Sequence, residues 1–216
     1  MKLWILKAWK ENKSLLLFIF LMVFFRSAIA DWNSVPTGSM KPTIVEGDRI
    51  LVNKLAYDVK VPFTNINLFE HSAPQRGDII VFDSDVSQKK LVKRVVGIPN
   101  DMVELKDNVL TINGESLNYE AIASSNSTLD RQEDLIGIEH SIRINKKGSS
   151  LSSFPKVQVP AGYYLVLGDN RDNSIDSRVI GFIPRHEIVG RSKRVLMSLN
   201  YENFFLPRKN RFFHTL

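Results

Sequence analysis

Eleven consecutive apolar residues, Leu15 to Phe25 (LLLFIFLMVFF), stand apart from every later stretch of the chain. A transmembrane helix needs about 20 mostly apolar residues. This run approaches that length only with Ser14 and Ala28-Ile29-Ala30 as flanks, giving a candidate span over 15–30. A cleavable signal peptide has a basic start, a shorter apolar run and an Ala-x-Ala site, and Ala28-Ile29-Ala30 has that form too. Local pattern leaves anchor and signal peptide open, with Arg26 weighing slightly against cleavage. Either way the preceding lysines keep the N-terminus cytoplasmic and put the chain after about residue 31 on the far side.

Beyond the run, the hydrophobic period shortens to two. Short segments rich in β-branched and aromatic residues, bounded by turn residues, predict strands. They are Arg49–Asn53, Asp78–Phe82, Leu91–Val96, Met102–Leu105, Val109–Ile112, Ser141–Ile144, Val157–Val159, Tyr163–Leu167 and Arg194–Leu199. Asp107-Asn108 and Asn113-Gly114 predict tight turns, the first closing a hairpin. Connections are too short for crossover helices, so antiparallel pairing is favoured. The fold class expected is mostly β: an antiparallel β domain with a small second lobe or loop-rich insertion, preceded by the apolar N-terminal segment. The pattern loosens over 115–155, where ASSNST and GSSLSS are small and polar. The expected organisation is a cytoplasmic N-terminus (1–14), the apolar membrane segment (15–30) and a β domain in two parts (31–114 and 156–205). The second lobe (115–155) interrupts it and a basic tail (206–216) follows.

Charge sharpens this picture. The formal net charge of +6 comes from +3 in residues 1–14 and +3 from Arg208, Lys209 and Arg211 in the tail, leaving a neutral body. Basic ends on a neutral body suit a membrane-proximal protein and argue against a nucleic-acid partner. The chain has no cysteine, which removes disulfides, thiol catalysis and cysteine-bound zinc.

Several familiar sites fail on pattern. The four histidines are scattered and no Gly-x-Ser-x-Gly elbow exists. His186-Glu187 lacks the second histidine of a zinc-protease helix, because position 190 is glycine. Ser87-Gln88-Lys89-Lys90 matches Ser-x-x-Lys without the accompanying Lys-Thr-Gly. GDNRDNSIDSR (168–178) misses the glycine and glutamate of a calcium loop, and reads as a turn-rich structural loop with an Asp176–Arg178 pair. Two stretches remain. PTGSMKPT (36–43) is a stiff loop that presents Ser39 between prolines. In KKLVKRVVG (89–97), Lys93 shares a strand face with Leu91 and Val95. Most such lysines snorkel. A buried one loses charge stabilisation, and its neutral amine can act as a general base toward a hydroxyl.

Taken jointly, the apolar segment, PTGSMKPTIVEGDRILVNKLAY (36–57), RGDIIVF (76–82), KKLVKRVVGIPND (89–101) and GDNRDNSIDSRVIGFIP (168–184) resemble the bacterial type I signal peptidases. The blocks stand in the family's order and cover about a third of the chain. The resemblance implies a serine–lysine dyad with Ser39 as nucleophile and Lys93 as general base. It implies an oxyanion hole from the Ser39 N–H and the Thr37 hydroxyl. Ser174 would orient the lysine, with Asp176, Arg178 and Arg94 as supporting charges. Val35, Pro36, Met40, Leu91 and Val92 would line the substrate pocket. The implied substrates are exported preproteins, cleaved after small residues in an Ala-x-Ala pattern, without metal or cofactor. The implied setting is the cytoplasmic (inner) membrane, with the N-terminal segment kept as anchor, the catalytic domain outside and lipid as neighbour. Two other classes compete: a pilus-subunit processing peptidase of the same fold, and a non-enzymatic anchored β-domain that binds peptides.

Overall fold

The computed structural model describes Lys2–Thr64 and Ile66–Leu216, with side chains from Asn12 onward. The expectation about Lys2, Lys7 and Lys10 therefore lies outside the described side chains. Helix α1 runs Lys2–Ala28. Its apolar residues from Leu15 to Phe25 are all exposed, between 38% and 62%. Among the described residues no helix is long and apolar enough to cross a membrane. The helix also stops before the predicted end of the span, because Ala30 already opens strand β1 (Ala30–Ser34). The junction is tied down chemically. Lys54 Nζ donates to the terminal carbonyls of Arg26 (3.0 Å) and Ser27 (3.2 Å), satisfying C-terminal acceptors that the helix leaves unpaired. Arg26 pairs with Asp31 at 2.7 Å and lies over the Trp32 ring.

The remaining strands are β2 (Asp48–Asn53), β3 (Asp58–Lys60), β4 (Asn67–Glu70), β5 (Ile79–Ser84) and β6 (Lys89–Gly97). They continue as β7 (Met102–Lys106), β8 (Val109–Ile112), β9 (Glu115–Ser116), β10 (Asn118–Ser124), β11 (Thr128–Asp134) and β12 (Glu139–Asn145). Strands β13 (Phe154–Gln158) and β14 (Tyr163–Leu167) lead to the single-turn helix α2 (Ser177–Ile180). Then come β15 (Ile183–Pro184), β16 (Ile188–Asn200) and β17 (Leu206–Pro207). All nine strands anticipated from period and composition are present, eight of them within three residues at their ends and β16 beginning six residues earlier. The main sheet runs β1-β2-β16-β5-β6-β14-β15, with β17 on β16, and its pairings are antiparallel.

This sheet is covered on both faces, which is why IIVF in β5 reads as an unbroken apolar run. Ile79 and Val81 pack with Ile50, Val52, Val195 and Met40 on one side. Ile80 and Phe82 pack with Val95, Val166 and Ile188 on the other. Strand β16 bends through two register shifts against β2, as bulges do. It begins earlier than the pattern suggested because Gly190 interrupts it. A Cβ there would stand 2.4 Å from the Asn53 carbonyl oxygen, so the neighbouring strand requires the glycine. Asp107 and Asn108 both have positive φ (50° and 62°) and join Lys106 to its partner Val109, as a two-residue primed turn demands.

The 115–155 region contains more regular structure than its composition announced. Strands β10, β11 and β12 form a separate three-stranded sheet. Strand β10 is almost wholly exposed, so its sequence carries little hydrophobic alternation. In the tail, Arg211 pairs with buried Asp48 through two bonds, at 2.9 and 2.6 Å. Arg208 donates to Ser198 and to the Glu46 and Leu199 carbonyls. The tail lies along β16, with Thr215 bridging Arg194 and Leu216 packed against the core.

Candidate active site

Residues 35–48 form the loop that presents Ser39. Its base is closed by Val35 N–H to Asp48 O (2.8 Å) and Gly47 N–H to Val35 O (3.0 Å). Met40, 1% exposed, and Ile44, fully buried, plug the loop into the core, with Ile44 N–H bonded to Met40 O at 2.9 Å. The loop hangs on these two residues rather than on its prolines. Beside Gly38 stand the ends of Glu46 and Lys41, which pair with each other at 2.7 Å. Among the described residues the Ser39 N–H has no acceptor.

Lys93 lies mid-strand in β6 and is 2% exposed. Its Nζ is 2.7 Å from Ser39 Oγ and 3.0 Å from the Val92 carbonyl oxygen. Burial lowers its pKa from 10.5 to about 8, with Arg178 pushing the same way and Asp176 and Asp169 opposing. The desolvated amine that the sequence left conditional is therefore present. A neutral amine at this distance has a lone pair available to a hydroxyl proton along the same line.

The supporting charges divide into two pairs rather than one cluster. Arg178 binds Asp176 through two bonds, at 2.8 and 2.7 Å. Asp176, fully buried, also accepts the Gly168 N–H at 3.0 Å and caps α2 through the Arg178 N–H. Arg94 does not join that pair. Its guanidinium grips Asp169 at 2.9 and 2.8 Å and donates to Gly77 O. Ser174 lines the same cleft as Ser39 and Lys93, yet among the described residues its buried Oγ has no hydrogen-bond partner. The expected Ser174–Lys93 bond is not formed; Val92 O holds the amine instead. Thr37 is exposed and lines the clefts on both sides of Ser39.

Two openings meet at the serine. One, of about 320 Å³, lies between residues 33–37 and 89–93 and includes Val35, Pro36, Met40, Leu91 and Val92, all five proposed pocket residues. The other, of about 400 Å³, is bounded by Leu91, Leu151, Asp172, Ile175 and Val179. Strand β14 pairs only with Arg94–Gly97, so Lys89–Lys93 has one free edge facing the clefts.

Sequence reasoning missed the residues that dock the second lobe. Arg143 N–H donates to Asp169 O, and Arg171 N–H to Arg143 O, joining β12 to the loop after β14. Arg171 pairs with Glu133 of β11, which also accepts the Tyr119 hydroxyl at 2.6 Å. Arg171 and Glu133 are 1% and 0% exposed. Their mutual charges hold the Glu133 pKa down and the Arg171 pKa up. The density of GDNRDN pointed to one half of this network; no local signal marks Glu133. His186 and Glu187 meet Asp85 in a surface cluster with ligand atoms within 4.8 Å of one another.

An antiparallel β domain with a serine hydroxyl bonded to a buried amine on the floor of an open cleft has the form of a peptidase. The chain belongs to the signal peptidase family, peptidase S26, whose profile matches residues 8–197. It is 40% identical over 208 residues to a signal peptidase I of Pseudomonas fluorescens, covering 87% of this chain and 72% of that one. A signal peptidase I of Pseudomonas aeruginosa is 36% identical over 203 residues, with the same coverage. A crystal structure of a signal peptidase I from Enterococcus faecalis is 32% identical, covering 56% of this chain and 97% of that one, at a TM-score of 0.37.

Proposed function

We propose that this signal peptidase is a membrane-anchored serine endopeptidase that works through Ser39 and Lys93. The observation that carries the reading is the 2.7 Å Nζ–Oγ contact made by a lysine that is 2% exposed. Neutral Lys93 takes the Ser39 proton as Oγ attacks the scissile carbonyl. The Ser39 N–H, with Thr37 beside it, stabilises the oxyanion, a donor worth about 3–4 kcal/mol in comparable sites. Protonated Lys93 then returns its proton to the leaving amine, and water deacylates Ser39.

The preprotein lies extended against the free edge of Lys89–Lys93 and the 33–37 segment, adding a strand to the sheet. Small side chains suit the side of the cleft shaped by Val35, Pro36, Met40, Leu91 and Val92, which accounts for an Ala-x-Ala preference. Helix α1 serves as the anchor in the inner membrane. Its exposed Leu15–Phe25 side chains support that role, as does a tethered C-terminal junction that keeps the cleft near lipid. The N-terminus is then cytoplasmic and the β domain faces outward.

The test is hydrolysis of a precursor peptide by Ser39→Ala and Lys93→Ala, with circular dichroism as the fold control. Each variant should stay folded and lose cleavage. Full activity in either one removes the dyad, and a full-length membrane extract beginning at Asp31 removes the anchor.

A further inference from the structure

Asn170 stands in the loop after β14 and is 8% exposed. Its Nδ2 donates to the Gly38 carbonyl at 2.9 Å, and its backbone N–H donates to the Ser39 carbonyl at 3.1 Å. These acceptors belong to the two peptide units on either side of Ser39 Cα. The first has a particular consequence. In a trans peptide the C=O and N–H of one planar unit point in opposite directions. The plane whose oxygen is Gly38 O is the plane whose N–H is that of Ser39. A bond that pulls on the Gly38 oxygen therefore sets the direction in which the Ser39 N–H points.

We infer that Asn170 is a positioning residue for the oxyanion hole, aiming the Ser39 N–H into the cleft by holding the opposite end of its peptide plane. This rests on the reading of Ser39 as nucleophile. The loop supplies a second grip, because Lys41 N–H also donates to Gly38 O, at 3.1 Å. That bond closes a turn within the loop and moves with it. Asn170 ties the plane to the body of the enzyme, because its neighbours Asp169 and Arg171 are clamped by Arg94, Arg143 and Glu133. A donor aimed in advance costs no reorganisation when charge develops. The second grip limits the loss when Asn170 is removed. Deleting an oxyanion donor outright costs about 10²–10³ in kcat; misaiming one should cost about tenfold.

The experiment uses the full-length enzyme in detergent, comparing wild type, Asn170→Ala and Asn170→Ser. The readouts are kcat and KM on a precursor peptide, melting temperature, and the affinity of two peptide ligands that differ only at the C-terminus. One ligand ends in an aldehyde. Ser39 Oγ bonds to the aldehyde carbon while the C=O pair moves onto oxygen and the hydroxyl proton passes to Lys93, so the oxygen occupies the hole. The other ligand ends in an amide and stays non-covalent. The expected result for Asn170→Ala is kcat down about tenfold with KM unchanged. Aldehyde affinity should fall by the same factor and amide affinity should hold, with partial recovery in Asn170→Ser, which keeps a shorter donor. Unchanged kcat, or equal losses for both ligands, would overturn the inference. Failure of both variants to fold would make Asn170 a folding residue and end it as well. Ser39→Ala separates the two readings. If it stays active, the dyad falls; if it is dead while Asn170→Ala is fully active, only the positioning role falls.

Discussion

Arg171 of the loop after β14 is paired with Glu133 of β11, and both side chains are buried. One belongs to the densest motif in the sequence and the other to the least patterned region. Removing one partner of a buried pair strands the other charge in a poorly solvating interior, at about 3–5 kcal/mol. Glu133→Gln should therefore lower the melting temperature by several degrees. Because Arg171 adjoins Asn170, activity should fall too. Denaturation monitored together with peptide hydrolysis checks both, and an unperturbed melt would show that the lobe is docked by other contacts.

The buried lysine makes opposite predictions for activity and for stability. Its pKa is lowered to about 8 in the folded protein, so the neutral base appears as pH rises through that value. The ratio kcat/KM should climb with an apparent pKa near 8. Below that pH, folding holds a cation where it is poorly solvated. A depression from 10.5 to about 8 corresponds to roughly 3 kcal/mol of lost stability at neutral pH. The penalty is fully present below about 8 and fades as pH rises toward 10.5, where the unfolded lysine also loses its proton. Lys93→Met should thus be inactive yet more stable than wild type at pH 7, with the advantage shrinking at high pH. Urea titrations at pH 7 and pH 10 measure it; a destabilised Lys93→Met at pH 7 would contradict the burial argument.

Gly168 has no room for a side chain. A Cβ there would stand 2.2 Å from Ser174 Oγ and 2.5 Å from the Ser39 carbonyl oxygen. Since the second obstacle is backbone, the nucleophile loop itself must move. Gly168→Ala should reduce cleavage by at least about a hundredfold, the order seen when catalytic geometry shifts by an ångström. Turnover assays with a melting curve distinguish this from unfolding. Near-normal kcat would mean that the loop yields without disturbing the dyad.

Asp176 joins three duties: a two-bond ion pair with Arg178, the Gly168 N–H, and the cap of α2. Asp176→Asn keeps the shape and the cap but removes the charge, leaving Arg178 in a site that is 4% exposed. It also withdraws a carboxylate that raises the Lys93 pKa. The pH profile of kcat/KM should shift to lower pH, while stability falls by about 3 kcal/mol. A profile that moves upward would refute the electrostatic assignment.

How much of this was legible depends on how each feature is encoded. The main sheet was, because β5 and β6 bury both faces and their apolar residues leave a local trace. The Ser39–Lys93 contact was legible as two residue types in two distinctive stretches, although only the resemblance joined them. Strand β10 was not, since its side chains are nearly all exposed and nothing forces alternation. The pairing of Arg94 with Asp169 rather than Asp176 was not either, because a choice between two nearby carboxylates is settled by three-dimensional packing. The pairing of Arg211 with Asp48 was not, for a related reason: counting charge along the tail does not show the carboxylate it meets.

The unpaired edge of β6 has a cost outside the reaction. An open strand edge is a template for any extended chain, including the same strand of a neighbouring molecule. Under the anchoring proposed above, copies of the enzyme meet at high local density, so the free edge is also exposed to self-association. Lys89 and Lys90 stand exposed at the start of that edge, Lys90 with Asp83 beside it. Two copies approaching edge to edge would bring lysines against lysines, whereas a substrate segment without such charges meets no repulsion. Charge at the start of an open edge is one of the ways natural sheets limit such pairing.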